Sequence, residues 1–538
     1  MELCAVVHAA LEKEPARRTA DARTLKEALT PFAAPAPLRK DLLQAWPEAL
    51  RLAAPRVREE PNALPPPVSR TRRVRWAALG MGLTLVTALA VGIAPRARSP
   101  ELPTEARTPP VKEPEPARVM PEHPACTREA SAEALQRADT VWIGAMFPLA
   151  HDDAYMREFG EAAKQAVLLA QREIMGLSGG IPRQDGSKTL PLGLVVCDDA
   201  KTPTEVADYL TKQVRVSAVI GFGSSRDVVL LSNQTFVPED VLVVTALNSS
   251  AAVSDIFHAP GSRRLVWRTA ANTRGRAAAL RRVIPEYLEP RLLRGAKAPL
   301  RLALVARHGS AGLSLSADLA KSFGTSAGAA SKRGPRERPA PDYKEFHLFE
   351  DGETAAAQNR AMSSELRRFK PQVVIVQNSE QAVARDVLLP LEEGFRGPLA
   401  ERPLYVVTGS LETTGLADIV RRHPTLVDRL YGLTTPTKTN ANMQFTRNFN
   451  AAFGTAFSLA ESPGAPYDSL YLIAYAAARA ADPSSGQSLA GAIPSLVGGR
   501  VPVDVGASSF LRALSELRAG QTVDLQGAFS TLDFDLAT

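Results

Sequence analysis

Ser224 and Ser225 stand at the end of the apolar run SAVIGFG (217–223), where a helical stretch begins. Free backbone N–H groups and two hydroxyls converge at such a strand-to-helix turn, and that suits a carboxylate. Serine is also a preferred helix N-cap, and the two roles are compatible. Either way the chemistry is recognition rather than bond-making. The chain has no HExxH and no P-loop, and in GFGSS the serine follows the second glycine instead of lying between two. That pattern does not make a nucleophile elbow, so no catalytic residue and no enzyme activity are expected. Of the three cysteines, Cys4, Cys126 and Cys197, no two have metal-ligand spacing, so neither a metal site nor any cofactor is implied. Cys126 and Cys197 admit two readings. They form a disulfide if the domain carrying them lies outside the cytoplasm, or they are two free thiols with Cys197 buried at a strand end.

These residues need a scaffold. The 538 residues suggest two or three folding units. The 42 prolines cluster, which marks linkers. The net charge of +7 is spread thinly, with local arginine concentrations at 70–75 and 332–338 and no nucleic-acid-binding motif, so nucleic acid is not expected as a partner.

One segment bears on the compartment. Trp76 to Ala94 (WAALGMGLTLVTALAVGIA) carries no charge. Roughly 19 apolar residues in a helix cross a bilayer core. Arg70, Arg72, Arg73 and Arg75 precede it, which places the N-terminal side in the cytoplasm. The run is apolar on every face and flanked by Pro-rich sequence, which disfavours a buried core helix. Its cleavage-like triplet Ala88-Leu89-Ala90 lies inside it and far from the N-terminus, which disfavours a signal peptide. The expected order is a helical fragment over 1–33, a Pro-rich, basic linker over 34–75, the transmembrane helix over 76–94, and a second Pro-rich linker over 95–138. From 139 a large extracytoplasmic domain follows, anchored in the inner membrane by that single pass.

In 139–538 short aliphatic runs alternate with helical stretches. Strands are predicted at 141–147, 190–199, 217–223, 241–247, 301–307, 372–377 and 403–409, with amphipathic helices at 158–175 and 202–214 among those between them. Such alternation gives an α/β fold with parallel sheets wound by helices on both faces. Ligands then sit at the carboxyl ends of strands. The stretch from Gly324 to Asp342 has no apolar period and reads as a mobile surface insertion.

The landmarks of this region are ordered: IGAMFPL (143–149), FGEAAKQAVLLAQREI (159–174), GGIPRQ (179–184), LPLGLVVCDDA (190–200), AVIGFGSS (218–225), VLVVTALNSS (241–250), VWRT (266–269), PYDSLYLIAYAAARA (466–480) and FSTLDFD (529–535). Together they resemble the type I periplasmic binding proteins, in the leucine and branched-chain amino-acid branch that serves ABC transporters. The resemblance implies two lobes joined by three crossovers, one of about 139–272 and 434–500, the other of about 273–433 with the C-terminal strand. A hinge would close them on a ligand in the cleft.

The resemblance also implies ligand-binding positions: Ser224 and Ser225; Leu247, Asn248 and Ser249 in the next strand-end loop; Phe159, where an aromatic lies against the ligand; and Glu412, near a carboxylate that pairs an ammonium. For Phe159, packing of the first helix is the competing reading, and for Glu412 a solvated loop. Two departures matter. The family's second-lobe tyrosine falls at Ala311, with His308 nearby, and an aspartate after the first crossover is replaced by Thr273. Family members usually continue past the equivalent of Thr538, which implies a C-terminus cut short.

Residues 4–29 resemble the last two helices of a bacterial Ser/Thr protein kinase domain, through Leu11, Lys13, Pro15, Arg18, Ala22, Leu25, Ala28 and Leu29. The catalytic loops of that family are missing, so this chain has no kinase activity. An unrelated helical hairpin is the alternative. The expected function is a membrane-tethered sensor domain for an amino acid, amide or short peptide, partnered by a kinase domain. Alternatives are the tethered substrate-binding protein of an amino-acid ABC permease, or an interaction module that no longer binds solute.

Overall fold

The computed structural model describes residues 120–538 except 257, 259–261, 294–298, 324–340, 350–353, 378–382, 410, 412–413, 435–438, 535 and 537–538. The kinase-like stretch, the apolar run 76–94 and nearly all of the expected insertion lie outside the described residues. Among the described residues no helix is long and apolar enough to cross a membrane.

The first lobe is built on a six-stranded sheet. Its strands are β1 (Cys126–Glu129), β2 (Val141–Phe147), β5 (Leu192–Asp198), β6 (Ala218–Gly221), β7 (Leu242–Thr245) and β8 (Val266–Arg268). Between β2 and β5 a small hairpin joins β3 (Ile181–Pro182) and β4 (Thr189–Leu190). The order is β1-β5-β2-β6-β7-β8, parallel except for β1, which runs antiparallel on the edge against β5. Strand alternation sorts the side chains of β2 to two cores. Ile143, Ala145 and Phe147 join the core that holds the long helices α1 (Ala154–Ser178) and α7 (Gly464–Arg479), while Trp142 and Met146 join the core opposite. Each large apolar side chain so buried contributes roughly 1.5–3 kcal/mol. The glycine in β5 is required by its neighbour: a Cβ on Gly193 would stand 2.5 Å from the Trp142 ring. Helix α1 starts where the Asp153 side chain accepts from the Met156 N–H and stops at Gly179, which is left-handed at φ 70°.

The second lobe repeats the plan. Strands β9 (Arg301–Arg307), β10 (Asp342–Leu348), β11 (Val373–Val376), β12 (Leu404–Val407) and β13 (Leu430–Gly432) form an all-parallel sheet in the order β10-β9-β11-β12-β13. Leu302, Leu304 and Ala306 face one core, and Ala303 and Val305 face the other. The helices that follow the crossover and β9, here α4 (Thr273–Val283) and α5 (Ser310–Phe323), pack in the first of these. Leaving out edge strand β1, both sheets have the doubly wound order in which the first strand lies between the second and the third.

Two boundaries differ from the sequence reading. The stretch read as linker up to 138 already contains β1 and the helix Ala132–Gln136. Edge pairing with β5 and the buried Met120 tie it to the first lobe, and β1 is too short to show a period. The closing strand expected in the second lobe over 529–535 is absent there among the described residues. Instead β14 (Val501–Asp504) and β15 (Val523–Gln526) pair with each other, and Val503, Val523 and Leu525 fill the first lobe's core with helix Phe510–Arg518. The apolar face of these residues decides their place. Buried Asp468 of α7 then anchors the chain beyond β15, accepting from the N–H groups of Ala528 at 2.7 Å and Phe529 at 2.8 Å. Of the three crossovers expected, two are therefore seen among the described residues: between β8 and α4, and between β13 and α6 (Asn440–Phe453).

Candidate ligand cleft

The two sheets meet through the loops and helices at the carboxyl ends of their strands. The loop after β7 touches the helix after β9: the Ser250 and Ser310 hydroxyls are 3.0 Å apart, and the Ala251 N–H donates to Ser314 Oγ at 3.0 Å. Ser314 also shares a hydrogen bond of 2.8 Å with Thr273 Oγ1 at the crossover, and the Thr273 N–H donates to the Ser249 carbonyl at 2.8 Å. In a sheet of this order the strand-end crevice opens between the first strand and the third. In the first lobe it is bounded by the loop after β2, from Pro148, and the loop after β6, Phe222 to Ser225. In the second it is bounded by His308 to Ser310 after β9 and by Gln377 after β11.

The first lobe's loops are cross-tied. Asp198 accepts from the N–H groups of Ala150 and Ala200. Asp199 accepts from the Gly223 N–H at 2.7 Å through one oxygen, and its other oxygen, Oδ1, is buried with no hydrogen-bond partner. Burial pushes the Asp199 carboxyl up to about 7, and the charges of Asp227 and Asp198 add to this against the Gly223 hydrogen bond.

The positions expected to meet ligand divide. The Ser224 hydroxyl is occupied, accepting from the Asp227 N–H at 3.1 Å and donating to Asp227 Oδ2 at 2.7 Å, so its role is the helix cap. Ser225, next in the chain, is partly buried and its hydroxyl makes no hydrogen bond among the described residues; Ser249 is the same. Asn248 is 2% exposed and clamps two loops, donating to the Phe222 carbonyl at 3.1 Å and accepting from the Thr245 hydroxyl. Its side chain is thus spent inside the lobe. Leu247 is partly buried against the first core. Phe159 stacks on Tyr155, ring centroids 6.1 Å apart and 6° from parallel, on the first turns of α1. Glu412 lies outside the described residues. In the second lobe His308 is exposed and stacks on Phe349 at 4.8 Å, so an aromatic surface stands one strand away from the missing tyrosine position at Ala311.

Sequence reasoning missed Asp199, Tyr155 and Arg268. The second aspartate of VCDD, at a strand end, is a signal that was available for Asp199. Arg268 donates to the Ser250 carbonyl at 2.7 Å and to Ser254 Oγ at 2.6 Å, holding the loop after β7; burial, with the nearby charge of Arg274, lowers it to about 10. Cys126 and Cys197 are joined by a disulfide that ties β1 to β5. Among the described residues no group of histidine, cysteine, aspartate and glutamate could hold a metal ion. A cavity of about 390 Å³, lined by Val237, Arg263, Arg264 and Gln487 among others, adjoins the start of β8, at the opposite edge of the sheet from the cleft.

No family model matches the chain, and no curated protein sequence matches it. Among solved structures it is similar to the branched-chain amino-acid transporter substrate-binding protein LivJ of Streptococcus pneumoniae in complex with isoleucine, at 14% identity and TM-score 0.48, covering 66% of this chain and 88% of that one. The leucine-binding protein LivK of Thermotoga maritima is 14% identical with TM-score 0.48, covering 74% and 91%. An ABC-transporter solute-binding protein of Rhodopseudomonas palustris in complex with 3,4-dihydroxybenzoic acid is 12% identical with TM-score 0.45, covering 67% and 86%. These neighbours are substrate-binding proteins, and likeness at this level carries no ligand or activity across to the present chain.

Proposed function

We propose that residues 120–538 form a two-lobed solute-binding domain, held outside the cytoplasm by the apolar segment 76–94, that closes on a small amphipathic solute. The observation that carries this reading is the meeting of two doubly wound sheets at their strand carboxyl ends, with unspent hydroxyls on Ser225 and Ser249 at that crevice. An intralobe disulfide supports an oxidising compartment. The kinase-like residues before the apolar run favour a sensor that reports to a kinase domain across the inner membrane. Service to an ABC permease is the second reading, favoured by the ordered landmarks of the large domain. The cleft chemistry is the same for both.

A thermal-shift screen of the full-length chain against amino acids, small amides, simple carboxylates and short peptides tests the reading. A solute that binds only the folded chain stabilises it by mass action, about 2.7 kcal/mol at one hundred times Kd. At least one class is expected to raise Tm, and Ser225→Ala with Ser249→Ala is expected to weaken that response. Silence across the panel leaves an interaction module as the function.

A further inference from the structure

After β7 the first lobe presents a short stretch of chain to the second, and its polar groups are met one by one. Arg268 holds this stretch from the first lobe's side, donating to the Ser250 carbonyl at 2.7 Å and to Ser254 Oγ at 2.6 Å. The second lobe takes up groups that remain. The Ser249 carbonyl accepts from the Thr273 N–H at 2.8 Å. The Ser250 hydroxyl donates to the Ser310 carbonyl at 3.3 Å and accepts from the Ser310 hydroxyl at 3.0 Å. The Ala251 N–H donates to Ser314 Oγ at 3.0 Å, and Ser314 shares a hydrogen bond of 2.8 Å with Thr273 Oγ1. Asp255 ends the row, accepting from Arg274 at 2.7 Å and 2.6 Å through its two oxygens. The partners stand at the start of α4 and on the first two turns of α5.

The make-up of this seam sets what it can do. Its inner members are serines and a threonine, short side chains that cost little entropy to order. Ser250 and Thr273 are 0% exposed, so their polar groups need these partners. The Arg274–Asp255 pair lies at the rim with both side chains about half exposed, and contributes little by itself. No large apolar side chain takes part in these bonds, so burial of apolar surface does not weld the lobes here, and a polar joint of this kind lets them turn. The chain crosses from β8 to α4 beside the seam. Next to a crossover the lever arm is short, so rotation of one lobe on the other displaces these atoms least. The bonds run directly from lobe to lobe, and no solute is needed to complete them. The helix Ser225–Leu231 lies against α5, and Ser249 gives its carbonyl to the seam, so both serines with unspent hydroxyls flank it.

We propose that the seam between Ser249–Asp255 and the starts of α4 and α5 is the pivot of the domain. The lobes stay joined along it before any solute arrives, and the rest of the cleft opens and closes around it. The proposal rests on the two-lobed closure reading above and adds to it the place about which closure turns.

The first test needs no solute. In the full-length chain carrying Cys4→Ser, spin labels at Lys212→Cys in the first lobe and Lys370→Cys in the second report the distance between lobes. Ser314→Ala with Arg274→Gln removes the partner of Ala251 and the partner of Asp255. It is expected to lengthen the mean distance and broaden its distribution, while hydrogen-exchange protection inside both sheets stays at the wild-type level. An unchanged distribution would overturn the proposal, and so would a change that comes with lost protection inside a sheet, which marks a merely structural role. In a second, unlabelled chain, Ser250→Cys with Ser310→Cys is expected to cross-link under mild oxidation, since hydroxyls 3.0 Å apart put the two positions within disulfide reach. Free thiols at both positions by mass spectrometry would show that the lobes do not meet there and overturn the pivot. The cross-linked chain is then put through the thermal-shift panel of amino acids, amides, carboxylates and short peptides. A solute that raises the wild-type Tm is expected to raise that of the cross-linked chain equally, because a pivot does not have to open. Loss of the response on cross-linking would make the seam a gate and overturn the proposal. A silent panel beside a broadened distribution and a formed cross-link sinks solute binding and leaves the pivot standing.

Discussion

The two lobes share a strand order and differ in where they place their buried polar groups. In the first lobe these gather at the strand carboxyl ends: Asp198, Asp199, Thr245, Asn248 and Arg268 tie one loop to the next. In the second lobe a buried ionic network lies at the opposite end of the strands. Glu392 accepts from Arg429 at 2.6 Å, Arg402 at 2.9 Å and the Tyr405 hydroxyl at 2.7 Å; Arg429 directly precedes β13, and Arg402 lies two residues before β12. The arginines outweigh burial and hold the Glu392 carboxyl below its usual range. One plan of alternation thus yields a lobe with a fixed lip and a lobe braced from behind. The difference teaches that strand order follows from apolar pattern, whereas a binding lip is assembled from particular polar residues that the pattern does not determine.

The comparison can be broken first at the disulfide. Closing a loop of 71 residues in sequence separation should stabilise the first lobe by about 4 kcal/mol on the chain-entropy account. Cys126→Ala with Cys197→Ala is expected to lower the urea midpoint accordingly, with β1 losing hydrogen-exchange protection before the second lobe does. Uniform loss over both lobes would show that β1 is not the first lobe's private brace. Next, Arg429→Met leaves Glu392 buried with Arg402 as its remaining cation. A loss of about 3 kcal/mol is expected, confined to protection factors of the second lobe.

Two smaller changes sharpen the picture of the lip. Asp199 has a folded-state value near 7 against an ordinary value of 3.8. For an acid raised on folding, the favourable contribution is complete below the unfolded value and is lost as pH rises through the folded one. Stability is therefore expected to fall between about pH 4 and pH 7, and Asp199→Asn should remove about half of that decline, since Asp468, raised by burial to about 7 as well, contributes in the same window. An unchanged pH profile in the variant would place the titration elsewhere. Ser224→Ala removes a cap and should cost about 1 kcal/mol while leaving solute affinity intact. Ser225→Ala should do the reverse, with no change in Tm and weaker binding. Identical behaviour of the two serines would erase the distinction between cap and contact.

Much of the architecture was legible. The seven strands predicted from aliphatic runs all form, because buried parallel strands must be apolar on both faces and so stand out from helical periods. The strands that escaped notice, β1, β3, β8, β13, β14 and β15, are two to four residues long and mostly edge or paired pieces with mixed polarity. Strand β10 was hidden because its charged side chains alternate along an edge. The site was legible only in part. Ser224 and Ser225 sit at the expected turn, but which hydroxyl is free depends on the Asp227 side chain folding back, a matter of a few torsions. Asn248 has a residue type suited to ligand, yet its contacts are with Thr245 and Phe222, which the sequence does not reveal as neighbours.

Movement of one lobe against the other is the core of this account. Spin labels at Lys212→Cys in the first lobe and Lys370→Cys in the second, with Cys4→Ser to leave the disulfide as the remaining native pair, report the distance between them. Titration of the full-length chain with a solute that raises Tm in the thermal-shift screen is expected to shorten that distance saturably, over the same concentration range, with the response weakened in Ser225→Ala. A distance that stays constant while Tm rises would contradict closure of two lobes on a solute.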